Sequence, residues 1–171
     1  MPVAVVAATA LALVLGSCRS GPAADGPLGS GANGGIPRGA NCVPRGHLQA
    51  FGDQQFTNHG DTAVVLDRVR LLHPDNERLI GSYAVPGDRL IGVVFWPPSY
   101  PDIPPGWKHR RPVHGFRLAP GRSFNMVLGV QAGPQGRGFS RGMLVYYHDS
   151  AGSYVARNDF AMIIAASTSH C

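Results

Sequence analysis

The chain has 171 residues, of which 44% are hydrophobic and 15% charged, enough for one domain with a real core and too few for several. With 23 Gly and 15 Pro, no stretch of a dozen residues keeps a clean helical period, which excludes a helix bundle or coiled coil. The formal charge is +5, yet no basic helix exists to enter a groove, so nucleic acid is not an expected partner.

In chain order, the first element is Val3–Leu15, thirteen residues without charge, Gly or Pro. A helix of that length spans about 20 Å, short of the roughly 20 apolar residues a bilayer crossing needs. It fits the apolar core of a secretory leader, and residues 1–17 are read as a signal peptide. No basic residue precedes the run. The run ends at Leu15-Gly16-Ser17-Cys18, which resembles the lipobox of a bacterial lipoprotein precursor. The resemblance implies that Cys18 is lipidated, becomes the mature N-terminus and tethers the chain to the cell membrane, outside the cytoplasm. Two acyl chains suffice for stable anchoring. The alternative is ordinary cleavage and a free secreted protein.

Residues 18–41 hold the lipidated cysteine and a Gly/Ser/Pro/Ala-rich run, Arg19–Asn41, read as a flexible linker with a reach of about 25 Å. A phosphate-binding glycine loop is disfavoured, since no strand precedes it and no helix follows. The folded domain is read as 42–171. There are three cysteines. Lipidating Cys18 leaves Cys42 and Cys171, one at each end of that domain. A Cys42–Cys171 disulfide suits an oxidising compartment and closes a loop for which chain entropy allows about 5 kcal/mol at most. Two isolated cysteines without C-x-x-C spacing make a poor metal site.

The apolar runs of the domain are short and rich in Val, Ile, Phe and Tyr, the pattern of strands. They are His47–Phe56, Thr62–His73 with a bulge or bend near Asp67, Arg78–Val85, and Arg89–Trp96, apolar enough to be buried on both faces. His114–Leu118 is short. Ser123–Ala132 alternates, with Phe124, Met126, Leu128 and Val130 on one face. Phe139–His148 and Ser153–Ser167 complete the set. Seven or eight short strands between turn signals predict an all-β antiparallel sandwich.

Several features together resemble a broad group of small exported lipoproteins from high-GC Gram-positive bacteria. They are the cysteine leader, the polar linker, Phe56-Thr57-Asn58-His59-Gly60-Asp61 before a Val-rich strand, Leu118-Ala119-Pro120-Gly121 before another, and Val145-Tyr146-Tyr147 near the end. Lys108 is the one lysine among 15 basic residues, as a GC-rich genome favours. The resemblance implies an immunoglobulin-like sandwich and carries over no functional residue.

Three constellations invite a chemical reading. Gly138-Phe139-Ser140-Arg141-Gly142 matches a G-x-S-x-G nucleophile elbow, followed by Asp149 or Asp159 and then His170. The elbow needs a strand before the serine and a helix after it, whereas a glycine-rich turn precedes Ser140 and a strand-like run follows. A hydrolase is therefore the weakest reading, and no enzyme activity is expected. His109 and His114, with His59, His73 and His148, raise an extracytoplasmic copper or zinc site. Arg110 and Arg111 lie between the first two, and Met126 and Met143 read as core residues. No metal ligand is assigned and no cofactor is called for.

The third is Trp96–Pro112 (WPPSYPDIPPGWKHRRP), the most unusual segment. Its prolines limit the entropy lost on binding. Trp96, Tyr100 and Trp107 are suitable anchors, and Lys108, Arg110 and Arg111 form a basic patch. These six residues are the candidate binding surface for an envelope protein or a cell-wall polymer. The competing reading is that the tryptophans cap the sandwich and the prolines protect a sheet edge. On all counts a non-catalytic binding or structural module is expected.

Overall fold

The computed structural model describes residues 23, 25–30, 38–44, 48–99, 101, 103–134 and 137–166. The leader 1–17, Cys18, Tyr100, His170 and Cys171 lie outside the described residues. Among the described residues there are twelve strands: β1 (Leu28–Ser30), β2 (Arg38–Pro44), β3 (Gln49–Asn58), β4 (Val64–Leu72), β5 (Glu77–Pro86), β6 (Val93–Phe95), β7 (Arg111–Pro112), β8 (Arg117–Leu118), β9 (Ser123–Ala132), β10 (Gly138–Ser140), β11 (Gly142–His148) and β12 (Ser153–Ala165). Seven of them are seven residues or longer, close to the number expected. The other five are two or three residues long and sit at sheet edges. The one helical turn among the described residues is the 3-10 turn Trp107–His109.

The strands form two six-stranded sheets. The first runs β1-β3-β9-β5-β7, with β6 also on β3. The second runs β10-β12-β11-β4-β8, with β2 also on β12. Every pairing between strands is antiparallel except β2 with β12. The fold is thus the expected β-sandwich. Its core is made by alternate residues, as the strand pleat dictates: Phe124, Met126, Leu128 and Val130 of β9 meet Leu66, Met143, Val145 and Met162 from the other sheet. Phe56 and Phe124 stack at 5.5 Å.

The bulge expected near Asp67 is present. Arg68 pairs with Tyr146 and Leu66 with Tyr147, so Asp67 is the unpaired residue. The bulge turns Asp67 toward two histidines: its carboxylate lies 2.9 Å from His148 Nδ1, and its carbonyl 3.2 Å from His114 Nδ1.

Three readings of the chain need correction. First, β9 is buried on both faces from Phe124 to Val130, because Trp96 and Trp107 cover the outside of the first sheet. Second, Arg89–Trp96 is not a doubly buried strand. Only Val93–Phe95 pairs, at an edge of β3, while Leu90 and Phe95 are 58% and 48% exposed.

Third, described parts of the segment read as a linker pair with the sheets: Ala23, Leu28–Ser30 and residues 38–41. Ala23 bridges Tyr154, through Ala23 N–H to the Ser153 carbonyl at 3.0 Å and Val155 N–H to the Ala23 carbonyl at 2.8 Å. The chain then crosses to the first sheet as β1, antiparallel to β3, and returns as β2 along β12. Leu28 is buried, and its N–H donates to the Tyr147 hydroxyl at 3.1 Å. Ser30 Oγ donates to the Arg157 carbonyl at 3.0 Å. A Cβ on Gly26 would sit 2.1 Å from that Tyr147 hydroxyl, so glycine permits the close approach. Backbone pairing needs no large side chain, so a Gly- and Pro-rich run can form this strap, pairing with both sheets. Cys42, on β2 opposite Ile163, is disulfide-bonded, and both other cysteines lie outside the described residues.

Candidate binding surface

Trp96 and Trp107 of the Trp96–Pro112 segment lie against the outer face of the first sheet. Strands β5 and β9 place Gly81 and Gly129 side by side there, and the missing side chains leave a trough. Trp96 fills it. A Cβ on Gly81 or on Gly129 would lie 2.3 Å from the indole. Tyr83 stacks on Trp96 at 5.8 Å and meets Trp107 edge-on at 5.3 Å. Trp107 is 6% exposed and joins Ala50, Val85, Ile91 and Val127 in a second, smaller core.

This corrects part of the expected surface. Trp107 is buried and Trp96 half-buried, the arrangement of the alternative in which the tryptophans cap the sandwich. The physical reason is local: an apolar sheet face with two adjacent glycines removes more indole surface from water than an exposed loop can. Lys108, Arg110 and Arg111 are exposed. Arg110 lies over the Trp107 ring at 4.7 Å and over Tyr83 at 5.6 Å, and Nη1 donates to the Trp107 carbonyl at 3.3 Å. The aromatic cluster is therefore a platform that holds cations outward.

The cations extend beyond the predicted three. Arg111 belongs to β7, an edge of the first sheet, and Arg117 to β8, an edge of the second. Between them lies an open depression of about 340 Å³ lined by Arg111, His114, Phe116 and Arg117. A second depression of about 530 Å³ joins Arg117 and His148 to Thr62, Asp149 and Ser150. Asp149 is turned into its own bend, accepting from the Ala151 and Gly152 amides at 2.7 and 3.0 Å. Sequence reasoning passed over Arg117, and weighed His114 only as a metal ligand. The available signal was the absence of any Asp or Glu from Ile103 to His148, a stretch holding Lys108, Arg110, Arg111, Arg117, Arg122, Arg137 and Arg141.

The other constellations do not assemble. Ser140 is on β10, 0% exposed, its hydroxyl shut away from any substrate. Asp149 stands at the far end of β11, and His170 is outside the described residues. The neighbour of Ser140 is Glu77, whose carboxyl is pushed up to about 7 by burial, with the Ser140 hydroxyl offsetting only part of that. Neither Glu77 oxygen nor Ser140 Oγ reaches a partner in normal hydrogen-bond geometry. Met126 and Met143 are core residues with no exposure. Among the described residues no three His, Cys, Asp or Glu side chains are grouped to hold a metal ion.

The fold and this surface define a small all-β sandwich module with a cationic flank. No family model matches the chain, and no curated protein matches it. Among solved structures, the ASH / PapD-like domain of human CEP192 (PapD-like domain 7) is remotely similar, with 10% identity and a TM-score of 0.36 over 93% of this chain and 96% of that one.

Proposed function

We propose that this chain is a lipid-anchored, extracytoplasmic binding module without catalytic activity. Cys18 carries the anchor, and Cys171 is the disulfide partner of Cys42. The working surface is the flank of Lys108, Arg110, Arg111 and Arg117, and its partner is an anionic envelope protein or cell-wall polymer. One observation supports this above the others: exposed cations stand on a platform of buried Trp107 and half-buried Trp96, with no carboxylate in the same stretch of chain. A rigid mount reduces the side-chain ordering that binding costs, and unpaired positive charge steers anionic partners.

The test is capture from detergent-solubilised membranes by the wild type and by the K108A/R110A/R111A/R117A variant. The reading expects partners held by the wild type, released by salt, and missing from the variant. Equal partner lists from a folded variant would sink it.

A further inference from the structure

The strap also bears on how the domain sits on a membrane, an inference that rests on the anchor at Cys18. Sequence reasoning gave the domain a linker of 23 residues, Arg19–Asn41, free to lift it off the surface. In the structure the chain is already bound at Ala23, by two backbone hydrogen bonds to β12. Only Arg19, Ser20, Gly21 and Pro22 separate Cys18 from that point. Five Cα steps reach about 17 Å when fully extended. Strand β12 has 13 residues, about 40 Å of length. Ala23 sits at its first turn of pairing, beside Ser153 and Tyr154. The opposite end of β12 pairs with β10 through Met162–Ile164. A lipid on Cys18 therefore reaches one end of the sandwich and not the other.

We infer that the anchored domain stands on the bilayer with its Asp149–Ser153 end against the lipid headgroups and its β10 end outward. The facing end also carries the loops after β3 and before β9, tied to it by Thr62 Oγ1 on Asp149 and by the Gly121 N–H on the Asn58 carbonyl at 2.8 Å. Charge does not set this pose. Arg89, Arg117 and Arg122 line depressions at that end together with Asp88 and Asp149, so charges of both signs face the same way, and Arg117 is where the cationic flank reaches this end. The strap sets it, and the orientation is insensitive to salt.

The experiment uses the full lipidated chain in vesicles that contain a headgroup-quencher lipid. An environment-sensitive fluorescent amino acid is placed at Ser150 in one preparation and at Arg137, beside β10, in another. Quenching several-fold stronger at Ser150 is expected, unchanged at high salt. It should fall to near equality when a long Gly/Ser segment is inserted between Ser20 and Gly21. Equal quenching at both sites, or a difference that survives the insertion, would overturn the orientation while leaving the anchor intact. Mass spectrometry of the same preparation separates the two readings: a mature chain without the acyl thioether on Cys18 would overturn the anchor, and the orientation with it.

Discussion

Gly129→Ala is the sharpest probe of the tryptophan platform. The added methyl would lie 2.3 Å from Trp96 Cδ2 and 2.4 Å from Cε2, well inside van der Waals contact. Gly129 is central in β9, hydrogen-bonded between β3 and β5, so the backbone cannot retreat. Trp96 must leave the trough instead, uncovering part of the Ala50–Val127 cluster. Overpacking of this kind costs about 1–3 kcal/mol. At the middle of that range the melting temperature falls by about 4–8 °C for a chain this size. The measurement is urea unfolding followed by far-UV circular dichroism, because Trp96 fluorescence would report its own displacement. The G129A/W96A double variant isolates the cause. With the indole gone the methyl has room, so the two changes should be non-additive by about 1–2 kcal/mol. A G129A protein within about 0.5 kcal/mol of wild type, or a strictly additive cycle, would refute the platform.

Glu77 predicts a pH dependence. Its carboxyl is raised from 4.5 to about 7 in the folded state, so the folded state holds the proton that the unfolded state releases. Its stabilising effect is therefore complete below pH 4.5 and is lost as the pH rises toward 7. The ceiling is about 3 kcal/mol, reduced because water still reaches part of the group. Chemical denaturation between pH 4 and 8 should show this slope in wild type and a flatter profile in Glu77→Gln. Tyr147→Phe removes the acceptor of the Leu28 N–H and leaves a buried donor unpaired, costing about 1–3 kcal/mol. Hydrogen exchange should show faster exchange at Leu28 and Val155 in that variant, with the β9 amides unchanged.

The sandwich was legible where side chains alternate. Ser123–Ala132 is β9 to the residue, because four large apolar residues at spacing two mark one buried face. Asp67 was legible as a bulge because a lone carboxylate interrupts an apolar run. The second face of β9 was not legible. Periodicity says which side of a strand is apolar, and it does not say whether a distant loop lies on the other side. Gly81 and Gly129 held that information, since small residues at neighbouring positions of paired strands make room for something large, but the pairing is visible only in three dimensions. The strap was illegible for a different reason. Its contacts are mostly main-chain, so the composition that normally marks a free linker had no bearing on it. The cationic flank was half legible: Lys108, Arg110 and Arg111 are adjacent in sequence, whereas Arg117 joins them only because two sheet edges meet.

The strap also fixes the order in which this domain can be completed. Leu28 hydrogen-bonds to a residue 119 positions later, and Ser30 to one 127 positions later. Strand β2 lies along β12, the last strand described. The earliest described part of the domain to emerge from synthesis therefore has no partner until nearly the last part has followed. Contacts of such long range are slow to form, because loop closure precedes any gain from pairing. The strap has to wait, unpaired, while the middle of the sandwich assembles, and its pairing with β12 closes the domain in its final step.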